Sequence, residues 1–183
     1  MAGPEYDLAE ARQLVEQAKG DGWDGRIVYA TDQAPANLQV AQAIQAMLGS
    51  VGMTVEIASD ASSVLMQRKL NGDYHLASHG FNITDDDMGT ARNIASNMVS
   101  TSRANRMGYK SAEMDAAIAE LFGAEDDATK QDAYEAIAQQ YVADVPFFVL
   151  GSVEERPTWG DNVHGIYGTV QSMIYFDKAW IGS

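Results

Sequence analysis

The residues best suited to chemistry lie together just after a predicted strand in the middle of the chain. They are an aromatic ring, Phe81, a carboxamide, Asn82, and three consecutive carboxylates, Asp85, Asp86 and Asp87. An aromatic face beside carboxylates suits a cationic or amino-bearing ligand, through cation–π contact and charge-assisted hydrogen bonds. The alternative is that the carboxylates cap and favourably charge the start of the next helix. The two interpretations are compatible.

Two histidines precede this group, and their spacing argues against a shared metal ion. His75 and His79 are four residues apart in a predicted strand. Four strand residues span roughly 13 Å at ~3.3 Å each, which is too far for one ion to bind both rings. We therefore predict structural or surface histidines and no metal site. A site that combines one histidine with the Asp run stays open as an alternative.

Three common enzyme motifs are missing from the sequence. It contains no Gly-x-Ser-x-Gly elbow, no Walker-type glycine loop and no Gly-x-Gly-x-x-Gly fingerprint. With no cysteine, thiol catalysis and thiolate metal sites are excluded. The sequence predicts a protein that is not an enzyme and has no cofactor.

Charge and hydropathy exclude further classes of partner. The 183 residues include 26 Asp and Glu against 12 Lys and Arg, a net charge of −14. Phosphate binding requires clustered basic residues, so we expect no nucleic-acid partner and no anionic membrane surface. No apolar run approaches the roughly 18 residues of a spanning helix, which predicts no transmembrane segment.

Alternating helices and strands position the candidate residues. Apolar spacing predicts a helix that Asp7 caps and Gly20 follows, and a helix with Pro35 in its first turn. The other segments of this half are three strands, Arg26–Thr31, Met53–Ala58 and Tyr74–His79, and a helix over Ala61–Leu70. Two β-α-β units in series imply an α/β fold, with a parallel sheet and helices on both faces. Ligands then bind beyond the carboxyl ends of the strands, in the loops Thr31–Asn37 and Gly80–Asp87.

The second half of the chain has a different pattern. Two helices of nearly ideal periodicity carry Met114, Ala117, Ile118, Leu121 and Phe122, and then Tyr134, Ile137, Ala138, Tyr141 and Val142. The apolar run Val145–Leu150 predicts a buried strand, with Pro146 at its start. The Gly- and aromatic-rich tail predicts short strands and turns.

Segments along nearly the whole chain resemble extracellular solute-binding protein family 5, the oligopeptide, dipeptide and nickel receptors of ABC importers. Residues 72–81 are similar to the family's Gly-Asp-(Phe/Tyr)-Asp…Gly-Trp strand, and residues 105–109 to its Asn-x-x-Gly-Tyr motif. The other similar segments are Tyr6–Ala18, Val40–Leu48, Val51–Ile57, Asp144–Pro146 and Phe176–Trp180.

The resemblance implies a fold and a domain. The fold is a type II periplasmic-binding lobe, with a mixed, mostly parallel sheet. Residues 1–183 would form the single C-terminal lobe of a two-lobed receptor whose N-terminal lobe is not in this sequence. Residues 177–183 would be a terminal segment that returns toward that lobe.

The resemblance also implies ligand-binding residues. Phe81 corresponds to the family's aromatic wall, and Asp85 or Asp86 to the acid that engages an amino group. Thr84 stands where peptide binders are acidic, and Phe81 replaces the family's Trp. With Asn82 and Asn105, these residues form the predicted site.

The implied function is the substrate-binding component of an ABC transporter, which captures peptides or similar small solutes outside the cytoplasm. Its partners would be the ligand, the N-terminal lobe and the permease subunits. The location would be periplasmic, or cell-surface and lipid-anchored. Two alternatives are a free-standing ligand-sensing or interaction domain of the same fold and a nickel-type metal-binding lobe.

Overall fold

A computed structural model describes residues 5–81, 86–151, 157–168 and 173–182. The helices are α1 Leu8–Gly20, α2 Pro35–Ser50, α3 Ser62–Asn71, α4 Asp87–Met98, α5 Ala112–Gly123 and α6 Asp127–Asp144. The strands are β1 Arg26–Asp32, β2 Thr54–Asp60, β3 Leu76–Ala77, β4 Val163–His164, β5 Tyr167–Gly168, β6 Ile174–Tyr175 and β7 Trp180–Ile181.

The main sheet has the strand order β2-β1-β3, and β1 pairs in parallel with both neighbours. The step from β1 to β2 and the step from β2 to β3 run in opposite directions across the sheet. Right-handed crossovers therefore place α2 and α3 on opposite faces. The predicted α/β architecture with helices on both faces is confirmed, and the described strands of this sheet are all parallel. The antiparallel pairs β4–β7 and β5–β6 lie outside it.

Two apolar clusters hold the chain together. The sheet core packs α2 on the sheet and consists of Ile27, Tyr29, Ala41, Ile44 and Val55. The helical core joins α4, α5 and α6, and consists of Ala91, Met98, Met114, Ala117, Ile118, Leu121, Ala133 and Ile137. The helical periodicity therefore predicts most of the helical core correctly.

Local signals set the ends of the helices, as expected. The carboxylate of Asp7 accepts hydrogen bonds from the N–H groups of Ala9 and Glu10 and caps α1. Pro35 is the first residue of α2, where its missing N–H costs nothing. Gly72 follows α3 with φ of 74°, a left-handed conformation that glycine adopts without strain. Gly20 is the last residue of α1 rather than the one after it.

The predicted buried strand Val145–Leu150 is wrong. Val145 ends α6 in a left-handed conformation, with φ of 43°, and the residues after it form no strand. Phe148, Val149 and Leu150 are 55%, 74% and 59% exposed. An apolar run shows that a segment is suited to burial, but it does not identify the surface that buries it. Within the described residues, no strand pairs with residues 145–150.

Smaller corrections concern the sheet. The third strand is Leu76–Ala77 instead of Tyr74–His79, although His75 and Ser78 still donate backbone hydrogen bonds to β1. Apolar spacing places Val40, Ile44 and Met47 on one face of α2, but only Ile44 of these is buried, together with Ala41. The small side chain of Ala41 permits close packing of the helix on the sheet. Phe122 is exposed as well.

Within the part of the chain that the structure describes, no helix is long and apolar enough to cross a membrane.

Candidate functional site

Polar side chains gather where the parallel strands end. We call this group the carboxyl edge; it consists of Thr31, Asp32, Ser59, Asp60 and Ser78. Asp32 pairs in register with Asp60, and Ser78 follows the last residue of β3. This register places the ends of the strands that precede the two predicted ligand loops at one edge of the sheet.

Hydrogen bonds fix the carboxyl edge. The hydroxyls of Thr31 and Ser78 lie 3.3 Å apart, and Thr31 is fully buried. The Asp32 carboxylate accepts hydrogen bonds from the Ala34 N–H at 2.9 Å and from the Asn37 amide at 2.9 and 3.0 Å. The Asn37 amide, the Ala34 N–H and the positive charge of Lys69 hold the pKa of Asp32 below its usual value. Asp32 therefore stays ionised and organises its own loop.

Two basic residues of α3 reach this edge. Arg68 donates to the Asp60 carboxylate at 2.7 Å. Lys69 donates to the backbone oxygen of Ser78 at 2.5 Å. Burial lowers the pKa of Lys69, and the nearby charge of Arg106 lowers it further. These contacts anchor the start of the loop that carries Phe81.

Phe81 belongs to an aromatic stack that the sequence did not reveal. Its ring lies 5.6 Å from the ring of Phe147, at an interplanar angle of 19°. Phe147 in turn contacts the ring of Tyr141, with the centroids 5.0 Å apart. The Tyr141 hydroxyl donates to the backbone oxygen of Phe147 at 2.8 Å. The ring of Phe81 is thus held by Phe147, a residue of the run that was predicted as a strand, and Phe147 by Tyr141 of α6. The role of Phe81 as a wall of the ligand site stays a prediction.

Asp86 and Asp87 both have structural contacts. Asp86 caps α4 by accepting a hydrogen bond from the Gly89 N–H at 2.6 Å. The Asp87 carboxylate lies 3.7 Å from the Lys130 ammonium. The backbone oxygen of Asp87 accepts a hydrogen bond from the Tyr134 hydroxyl. The capping interpretation of Asp86 is confirmed, and its ligand role stays a prediction. Asn82, Thr84 and Asp85 lie outside the described residues.

Asn105 takes part in a different arrangement from Phe81. Its amide donates to the backbone oxygens of Val99 at 3.1 Å and of Tyr109 at 2.7 Å, which closes the loop before α5. It lines a cleft with Tyr74 and Arg106, and Phe81 is not part of that lining. Its ligand role stays a prediction.

The two histidines also have separate roles. The Nδ1 atom of His75 accepts a hydrogen bond from the backbone N–H of Val28 at 3.0 Å, so this ring braces the edge of the sheet. Partial desolvation lowers the pKa of His79 even though the residue is exposed, and the charges of Lys69 and Arg106 lower it further. Among the described residues, no group of three or more His, Asp or Glu side chains is placed to bind a metal ion.

The fold is that of type II periplasmic binding proteins, as structural comparison shows. The ABC transporter substrate-binding protein CtaP from Listeria monocytogenes matches with a TM-score of 0.67 and 22% identity, over 76% of this chain and 28% of CtaP. OppA from Haemophilus influenzae matches with a TM-score of 0.66 and 18% identity, over 76% of this chain and 28% of OppA. The pheromone receptor PrgZ matches with a TM-score of 0.77 and 16% identity, over 98% of this chain and 35% of PrgZ. The chain thus spans about a third of the length of these proteins.

The family follows from the sequence itself. Residues 2–103 match the family described as bacterial extracellular solute-binding proteins, family 5, middle. The chain belongs to this family, and the resemblance found in its motifs is confirmed. A comparison with curated proteins finds no match.

The contacts of Asp32 lead to a prediction about pH. Replacing Asn37 with Ala removes the hydrogen bonds that contribute most to the lowered pKa of Asp32, so Asp32 should titrate at a higher pH than in the parent protein. Because the folded-state pKa is lowered, ionised Asp32 stabilises the fold above its unfolded pKa, and this contribution is lost as the pH falls through the folded value. NMR titration of the carboxyl carbons measures the midpoint. Gln39→Ala, on the exposed surface of α2, is the control, and equal midpoints for Asp32 in both variants would contradict the assignment.

The cap at Asp86 leads to a second prediction. Asp86→Ala should lower the free energy of unfolding by about 1 kcal/mol, because one N–H group of α4 loses its acceptor. Asn caps helices about as well as Asp, so Asp86→Asn should lose clearly less. Urea denaturation at pH 7 measures both. If Asp86→Ala is as stable as the parent protein, the cap does not stabilise the fold.

Proposed function

We propose that this chain is the ligand-binding C-terminal lobe of the substrate-binding component of an ABC transporter. In this role it captures a peptide or a similar small solute outside the cytoplasm, by binding and without catalysis. The observation that carries the proposal is the extent of the family match. Residues 2–103 contain all three strands of the main sheet and the loops at their carboxyl ends.

Phe81 and the acids that follow it in the chain are suited to an amino-bearing ligand. Phe81 is held by its stack on Phe147, so its ring is fixed where the segment with Asp85 and Asp86 begins. A carboxylate has about four acceptor positions, so an acid that caps a helix can also accept a hydrogen bond from a ligand. OppA, solved with the peptide RPPGFSPFR, and PrgZ, described by its mode of peptide binding, support a peptide as the class of ligand.

Exposed apolar side chains support a second lobe as partner. Phe176, Trp180 and Ile181 in the tail are 63%, 58% and 76% exposed. The run Phe148–Leu150 is exposed as well. A surface that a partner covers leaves large apolar side chains of this kind exposed in the isolated chain. We assign it to the N-terminal lobe, toward which residues 177–183 would return.

Function would follow from closure of the two lobes. A ligand held at the carboxyl edge is covered when the other lobe rotates onto it, a hinge motion in which binding energy selects the closed form. The permease subunits would then recognise that form.

Phe81 is the position that tests the proposal. In the two-lobed protein, Phe81→Ala should weaken the binding of a peptide ligand at least about tenfold, because a buried aromatic contact is lost. Phe122→Ala is the matched control, since Phe122 lies on the exposed side of α5. Isothermal titration calorimetry gives both affinities, and circular dichroism confirms that both variants are folded. Equal affinities in the two variants would contradict the proposed site.

A further inference from the structure

A second concave site lies apart from the Phe81 stack. A cleft of about 440 Å³ runs beside β3, between the end of α3 and residues 103–108. Its polar lining includes Lys69, Tyr74, His75, Arg103, Asn105 and Arg106. This volume falls in the range of about 300 to 1,000 Å³ that is typical of small-molecule sites.

The charge of this cleft is opposite to that of the protein. The chain carries a net charge of −14 with 12 Lys and Arg, yet three of those cations, Lys69, Arg103 and Arg106, line the cleft and no Asp or Glu does. The ion pairs among the described residues involve Lys and Arg side chains other than these three. The local potential therefore attracts anions although the protein as a whole repels them.

Lys69 and Arg106 line the same cleft, so their positive charges repel each other. The charge of Arg106 contributes to the lowered pKa of Lys69, after the effect of burial. The hydrogen bond from Lys69 to the Ser78 backbone oxygen prevents the ammonium from moving away freely. An anion between the two cations would remove this repulsion and stabilise both charged forms.

Unsatisfied polar atoms point to the same ligand chemistry. The Nε atom of Arg106 is buried and has no hydrogen-bond partner among the described residues. An oxyanion is the acceptor that a guanidinium binds best. The Oδ1 atom of Asn105 is also buried without a donor in that part of the chain. Because both hydrogen bonds from its amide go to backbone oxygens, Oδ1 is fixed as an acceptor for a hydroxyl group or a water.

We propose that this cleft binds a small oxyanion, a carboxylate or phosphate group, through Arg103, Arg106 and Lys69. A ligand that carries a hydroxyl or acid proton beside the anionic group also satisfies Asn105. The cleft shares Lys69 with the carboxyl edge, where that side chain donates to Ser78, but the oxyanion proposal does not depend on the proposed transport function. All of the residues that line the cleft belong to this chain.

The experiment titrates the chain with two probes, inorganic phosphate and succinate, at constant ionic strength in chloride. NMR spectra of the backbone amides report which residues respond. We expect saturable shifts at residues 103–108 and at Tyr74 and His75, with either probe or both. Phosphate alone identifies a phosphate site, succinate alone a carboxylate site, and both identify a general oxyanion site.

Charge-matched variants show whether the cleft is responsible. Arg103→Gln should weaken binding at least about tenfold, since one charge-assisted hydrogen bond is lost. Arg26→Gln removes the same charge outside the cleft, where Arg26 lies 3.9 Å from Glu56, and should leave the affinity unchanged. Lys69→Gln is a second cleft variant in case Arg103→Gln folds poorly. Equal affinities in the cleft and control variants, or no saturable shift with either probe, would overturn the proposal.

Discussion

The parallel pairing of β1 with β2 is the constraint on which the site depends. The two strands pair without a bulge from Arg26 and Thr54 to Asp32 and Asp60, so both reach the carboxyl edge at the same level. A slip of one residue would move every side chain of a strand to the opposite face. Buried Thr31 would then exchange places with its neighbours, and the hydrogen bonds of the edge would be lost. The buried apolar face of the sheet fixes this register.

The helical core provides the other support for the site. The segment between β3 and α4 is held at its start by the Phe81 stack and at its end by the Asp86 cap. The stack depends on Phe147 and Tyr141, which α6 and the residues after it supply. Thus one half of the chain contributes the edge, and the other half holds Phe81, where the loop after β3 begins. The exposed apolar tail is consistent with a surface that another lobe completes.

Local signals made much of the fold predictable. Asp7 and Pro35 mark helix starts through contacts within a few residues, and the alternation of helices and strands specifies a parallel sheet. The Phe81 stack was not predictable, because Phe147 lies far along the chain and its segment has the pattern of a strand. The basic cleft was not predictable either, because Lys69 and Arg106 are far apart in the sequence and line one cleft only in the folded protein. Val145–Leu150 was wrongly predicted as a strand, because an apolar pattern does not specify which surface buries a segment.

We propose that this chain carries one side of a ligand site, and calorimetry with a short peptide such as trialanine tests this directly. The titration is performed on this chain alone and on the two-lobed protein. A divided pocket loses the opposing hydrogen bonds and the exclusion of water, so we expect very weak binding or no measurable heat from the chain alone. The two-lobed protein should bind the peptide. If the chain alone binds as tightly as the two-lobed protein, this chain does not carry only one side of the site.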